Sequence, residues 1–162
     1  MKASDTNLIQ TLYDYTRSDP NLQDPETAHL TINGNHVLGM NAVPGLNIET
    51  RELDDGVDIR VFLEPGTIVK KQVHMCFGML PEAGIQRILM DVNIGENSKI
   101  SFLAHCVFPK AVDVEHIMNA QITSIGRKQC GQRIFKCFKS RWRELNTEHK
   151  DFFGPADTGK DD

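Results

Sequence analysis

The sequence predicts an all-β domain preceded by one short helix. Three observations carry this: apolar and polar residues alternate at a period of two from Leu46 onward, the apolar runs recur at intervals of about a dozen residues, and Gly, Pro, Asn and Asp close them. Before Pro20 the apolar spacing is instead three and four, which is helical. At 162 residues the chain fits one domain burying roughly two thirds of its unfolded surface.

Taken in order, Ser4 or Asp5 caps a helix whose stripe is Leu8, Ile9, Leu12, Tyr13 and Tyr15, and Asp19-Pro20 ends it. Between Asp24 and Gly45 only short extended pieces fit, such as His29-Leu30-Thr31-Ile32 before the turn Asn33-Gly34-Asn35. Val57, Ile59, Val61 and Leu63 then share one face of a half-buried strand that stops at Glu64-Pro65-Gly66. Ile88, Met90, Val92 and Ile94 form the next face, closed by Gly95-Glu96-Asn97. Ile100, Phe102, Ala104, Cys106 and Phe108 form another, closed by Pro109-Lys110. Val112, Val114, His116, Met118, Ala120 and Ile122 continue the pattern. Regular short strands fit a sandwich or a solenoid, and periodicity does not choose between them.

Composition narrows the function classes. No run approaches the ~20 apolar residues of a membrane span, and Asp5 and Asp14 stand where a signal peptide would be apolar, so a soluble cytoplasmic protein is expected. Four cysteines, Cys76, Cys106, Cys130 and Cys137, are too scattered for the disulfide framework of a small secreted protein. No phosphate-binding loop, Gly-x-Ser-x-Gly elbow, His-Glu-x-x-His or dinucleotide fingerprint occurs, so a non-enzymatic protein is the expectation.

Charge divides the chain. Residues 1–124 carry 9 Lys+Arg against 16 Asp+Glu, residues 125–150 carry 8 against 2, and the last twelve carry 1 against 4. The differences, −7, +6 and −3, mark an acidic body, a basic segment and an acidic tail.

The segments His74-Met75-Cys76-Phe77-Gly78-Met79-Leu80-Pro81, Phe102-Leu103-Ala104-His105-Cys106-Val107-Phe108-Pro109 and Val114-Glu115-His116-Ile117-Met118-Asn119-Ala120 occur in that order, after Ala28-His29-Leu30 and Val43-Pro44-Gly45-Leu46. From about Asp24 to Ile122 the chain resembles the SufB/SufD (SufBD) family, scaffold components of iron-sulfur cluster assembly, in the short form found in archaea and some bacteria. The resemblance implies a right-handed parallel β-helix core over residues 46–122 and a transient iron-sulfur cluster as cargo. It further implies a SufC-like ABC-type ATPase as partner, a SufB/SufD-type protein or a second copy at the open β-helix edges, and apoproteins as cluster acceptors. The domain expectation is a helical segment at 1–23, a SufBD-like domain at 24–123 and a divergent tail at 124–162.

After Thr123 the resemblance, the charge sign and the periodicity all change together. The expectation drawn from that coincidence is that a frameshift or a damaged gene has replaced the rest of the family domain with an unrelated tail. Read as a genuine segment, Lys128, Arg133, Lys136, Lys139, Arg141 and Arg143 interleave with Phe135, Phe138 and Trp142, a composition that attracts nucleic acid or an acidic partner. The plainer expectation is an amphipathic helix docked on the open β-helix end, followed by a disordered tail from Gly154. A binding module using this segment, or an inert truncated product, stands beside the scaffold reading.

Four residues carry chemical potential. Cys106 shares the apolar face with Phe102 and Ala104, either as a small hydrophobe or as a thiolate that accepts sulfur or holds a nascent cluster. His105 projects to the opposite face. Cys76 and His74, one residue apart, point the same way as a His-x-Cys pair, although two ligands make no site. His116, flanked by Val114 and Met118, faces the core, where a backbone carbonyl more often satisfies such a histidine than a metal does. The family's cluster-forming residues lie further along, so Cys106, Cys76, His105 and His116 are candidates by chemistry and not by motif match.

Overall fold

The structure, a computed structural model, describes residues 3–16, 20–124 and 134–139. Helix α1 (Ala3–Asp14) opens the chain. It stops before the expected Asp19-Pro20 because the backbone tightens: Tyr15 N–H donates to the Leu12 carbonyl at 3.3 Å and Thr16 N–H to that of Tyr13 at 2.9 Å. The Thr16 hydroxyl donates to the Tyr13 carbonyl as well, also at 2.9 Å, so the terminal carbonyls are met locally.

Nine strands follow among the described residues: β1 (His29–Asn33), β2 (His36–Asn41), β3 (Leu46–Leu53), β4 (Gly56–Leu63), β5 (Val73–Gly78), β6 (Ala83–Ile94), β7 (Phe102–Phe108), β8 (Asp113–Ser124) and β9 (Ile134–Lys139). They form two mixed sheets, ordered β2-β1-β5-β7-β9 and β3-β4-β6-β8. The all-β expectation with one amino-terminal helix therefore stands. β1 and β2 pair antiparallel across the expected turn at Asn33-Gly34-Asn35, with Gly34 at φ 63°.

From β4 onward the chain alternates between sheets, and each strand pairs in parallel with the strand two places later. Register partners are spaced evenly along the sequence: Val57 faces Ile88, 31 positions on, Phe77 faces Cys106, 29 on, and Ile88 faces Met118, 30 on. The longer links stack as well as the strands do. Gly66 N–H donates to Glu96 O at 2.7 Å, Lys99 N–H to Thr67 O at 2.8 Å and Val69 N–H to Lys99 O at 2.9 Å. Backbone groups in these links are thereby satisfied although they lie outside any strand ladder.

Between the sheets lies the main core, which includes Leu30, Ile32, Val57, Ile59, Val61, Leu63, Val73, Met75, Phe77, Ile88, Val92 and Cys106. The alternation read from the sequence assigned this face correctly in β4, β6 and β7. A second cluster, Ile9, Leu12, Tyr13, Leu38, Cys76 and Val107, lies on the outer face of the first sheet, where α1 packs. Strand β5 is therefore buried on both faces, which is why Val73–Gly78 shows no polar alternation.

Three expectations are corrected. The parallel strand pairing does not begin at residue 46, because β3 runs antiparallel to β4 through a turn at Asp54-Asp55. Val112 is not on a strand face: it sits in the short link before β8 and is 82% exposed. The basic segment is not helical where it is described, since Ile134–Lys139 is strand β9, paired in parallel with β7. A run of Ile, Phe, Cys and Phe suits a pleated edge, and β7 otherwise presents unpaired backbone donors and acceptors there. The rest of the expected helix and the acidic tail lie outside the described residues.

Candidate functional site

The four sequence candidates divide between the core and the outer face of the first sheet. Cys106 faces the core from β7, and its Sγ stands 3.7 Å from Nε2 of His116 on β8 of the other sheet. This distance is within range of a thiol–imidazole hydrogen bond. The ring of Phe108 lies against His116 with centroids 4.9 Å apart, so the imidazole is held from one side by an aromatic and met from another by sulfur. The strand alternation that placed both residues on apolar faces thus brought two candidates into contact. Which residue would meet which depended on packing between the sheets.

Cys76 and His105 share the outer face, where they are register partners on β5 and β7 beneath α1. His105 is buried and meets the ring of Tyr13 edge-on, with centroids 6.4 Å apart. Burial pushes the Cys76 thiol up to about 12, which leaves it a neutral thiol near pH 7 and a poor ligand or nucleophile while α1 covers it. Burial, with Cys76 beside it, also holds the Tyr13 phenol well above its usual range. His74 shares the face with Cys76 as expected and is the register partner of His29 on β1. Burial holds both imidazoles below their usual range, and His29 adds to the effect on His74. The His-x-Cys pair gains no further ligands: among the described residues no three His, Cys, Asp or Glu side chains converge to hold a metal ion.

Two participants escaped the sequence reading. His29 belongs to the buried outer row only because β1 pairs with β5 across three intervening strands, a contact no local pattern shows. Gln86 is fully buried as the register neighbour of His116, and its Nε2 donates to the carbonyls of Gly34 and Gly78, each at 2.8 Å. A glutamine among Ile and Met in a strand was the available signal, because a buried amide needs partners.

The described residues thus define a strand-built protein with a thiol–imidazole contact in its core and no helix long and apolar enough to cross a membrane. Comparison with known proteins then finds similar sequences. The chain is 33% identical over 98 residues to an iron-sulfur cluster assembly SufBD family protein of Pyrococcus horikoshii, and 31% identical over 98 residues to one of Methanocaldococcus jannaschii. Each match covers 60% of this chain but only 30% and 31% of the respective relative, so the chain spans about a third of the length of the curated relatives it matches. Over the matched stretch it is SufBD-like in sequence. No protein-family profile and no solved structure matches the chain.

Proposed function

We propose that this chain acts as a SufBD-like scaffold in iron-sulfur cluster assembly, with iron and sulfide as its cargo. The observation that carries the reading is the Cys106–His116 contact, 3.7 Å long, inside a chain similar over 98 residues to proteins named for that process. Thiolate sulfur is the natural iron-sulfur ligand, and an imidazole within reach takes up the proton a thiol must lose before it binds iron or sulfur. In this reading the alternating parallel strands are turns of a right-handed β-helix, the handedness that parallel crossovers favour. The same reading places the protein in the cytoplasm, makes it a non-catalytic component, and gives it a SufC-like ATPase, a SufB/SufD-type subunit or second copy, and apoprotein acceptors. Of the outward-facing candidates, Cys76 and His105 support α1 in this reading and do not touch cargo.

The test is anaerobic co-expression with the host's Suf-type ATPase, affinity purification, and iron and acid-labile sulfide analysis of the eluate. Co-elution with both elements, lost in Cys106→Ala, is the expected result. A colourless chain that elutes alone would overturn the reading.

A further inference from the structure

We propose that the cleft between α1, residues 20–25 and β2 binds a small uncharged molecule with an amide-like edge, of the nucleobase or nucleoside class, through Tyr13, His29 and Asn41. The site goes beyond the assembly reading, since it lies on the outer side of the first sheet and uses neither Cys106 nor His116. The cleft measures about 890 Å³. Small-molecule pockets run from roughly 300 to 1,000 Å³, whereas one bridging water takes a share of roughly 30 Å³ and would not fill it.

Two side chains lining this cleft are buried with polar atoms unmet. Tyr13 and His29 are 5% and 6% exposed, and neither Tyr13 Oη nor His29 Nδ1 has a partner in hydrogen-bonding geometry. The Thr31 hydroxyl stands by the phenol and the Thr27 backbone by the imidazole, but neither meets these two atoms in that geometry. Burying unmet donors and acceptors is costly, and a ligand that meets both recovers that cost on binding.

The neighbouring groups define what such a ligand carries. Asn41 is the register partner of His29 and shares its face of the hairpin. Its Nδ2 donates to the Pro25 and Thr27 carbonyls at 3.1 and 2.9 Å, which commits both amide protons and leaves Oδ1 to accept. The Tyr13 hydroxyl donates, so the complementary ligand presents an acceptor beside a donor. Carboxamides pair in this way with the edges of bases. Ile9, Leu22 and Leu38 supply an apolar wall for a flat ring.

Charge excludes the ionic members of the class. Among the described residues no Lys or Arg lines the cleft, and its one carboxylate, Asp24, is held by Lys71 Nζ at 2.6 Å. Burial keeps the His29 imidazole below its usual range and the Tyr13 phenol above its own, so both are neutral near pH 7. A phosphate would enter without a counter-charge. Residues 1–124 carry 9 Lys+Arg against 16 Asp+Glu, which repels a nucleic-acid strand as well.

The test is titration of the isotope-labelled full-length protein with adenosine, followed by heteronuclear NMR, with adenosine monophosphate as the charged counterpart. The expected result is saturable adenosine binding that shifts the His29 Nδ1 resonance, and binding of the monophosphate at least about 10-fold weaker. Tyr13→Phe should act with opposite signs on two readouts: it removes an unmet buried hydroxyl, raising the thermal midpoint of the free protein by about 2 °C, and it weakens adenosine binding by about 5-fold. No saturable binding, shifts that leave His29 untouched, or equal binding of the monophosphate overturns the site. A lower midpoint in Tyr13→Phe with unchanged affinity also overturns it, because the hydroxyl would then be satisfied by water alone. The His29 resonance is read in the parent protein, so the test stands even where the variant fails to fold.

Discussion

Replacing Leu12 with Ala should open the cover that α1 places over Cys76. Leu12 is fully buried, and with Ile9 and Tyr13 it packs against Leu38, Cys76 and Val107. It also sits directly over Gly78, where an added Cβ would fall 2.3 Å from Leu12 Cδ2, so the helix is seated on a position with no side chain. Buried Leu→Ala substitutions cost about 2–5 kcal/mol, from lost transfer energy plus a residual cavity. The lower half of that range applies here, because a single peripheral helix can settle into the space. A loss of about 2.8 kcal/mol in the local opening equilibrium corresponds to about 100-fold. The assay is alkylation of the native protein at pH 8, resolved by peptide mass mapping so that Cys76 is followed separately from Cys106. Cys76, fully buried in the parent protein, should label about 100-fold faster in Leu12→Ala, while the urea unfolding midpoint of the strand core changes far less. Unchanged Cys76 labelling in a folded Leu12→Ala protein would refute the claim that α1 is what protects this thiol.

Four further variants test other parts of the strand core. Because the folded state holds His29 and His74 below the ordinary imidazole pKa of about 6.5, the unfolded chain binds more protons as acidity rises; stability should be level above about pH 7 and fall below about pH 6.5, with a shallower fall in His74→Gln, measured by urea unfolding from pH 5 to 8. Gly56→Ala would set a Cβ 1.8 Å from the Arg87 carbonyl oxygen at the start of the β4–β6 ladder, so soluble yield should collapse; Gly34→Asn, at φ 63° with open space around it, should cost less than about 1 kcal/mol in thermal unfolding. Gln86→Leu removes the donor that ties the β1–β2 turn to the end of β5, and should destabilise by about 1–3 kcal/mol in denaturant titration, whereas no change would mean that the two carbonyls find other partners.

How much of the site was legible depended on the range of the interaction that formed it. Alternation placed Cys106 and His116 on apolar faces and His105 on the opposite one, because side-chain direction in a strand follows from position alone. It could not place Cys76, since β5 is covered on both sides and its run of apolar residues shows no face. His29 was read as part of a short extended piece and missed as a member of the buried row, because its neighbour His74 comes from β5, with three strands intervening. The basic segment was read as a helix from aromatic residues spaced three and four apart, while at Ile134–Lys139 pairing with β7 decided in favour of a strand.

By itself the sequence determined the class of fold, the position of the amino-terminal helix, the turns at Asn33-Gly34-Asn35, Glu64-Pro65-Gly66 and Gly95-Glu96-Asn97, and the family resemblance. These rest on local periodicity, turn chemistry and short motifs. Tertiary structure alone decided that strands about 30 positions apart become neighbours, that α1 buries Cys76 on the outer face, and that Cys106 meets His116 across the core. Those outcomes depend on backbone pairing and on close packing between two sheets, and neither leaves a local mark on the residues that take part.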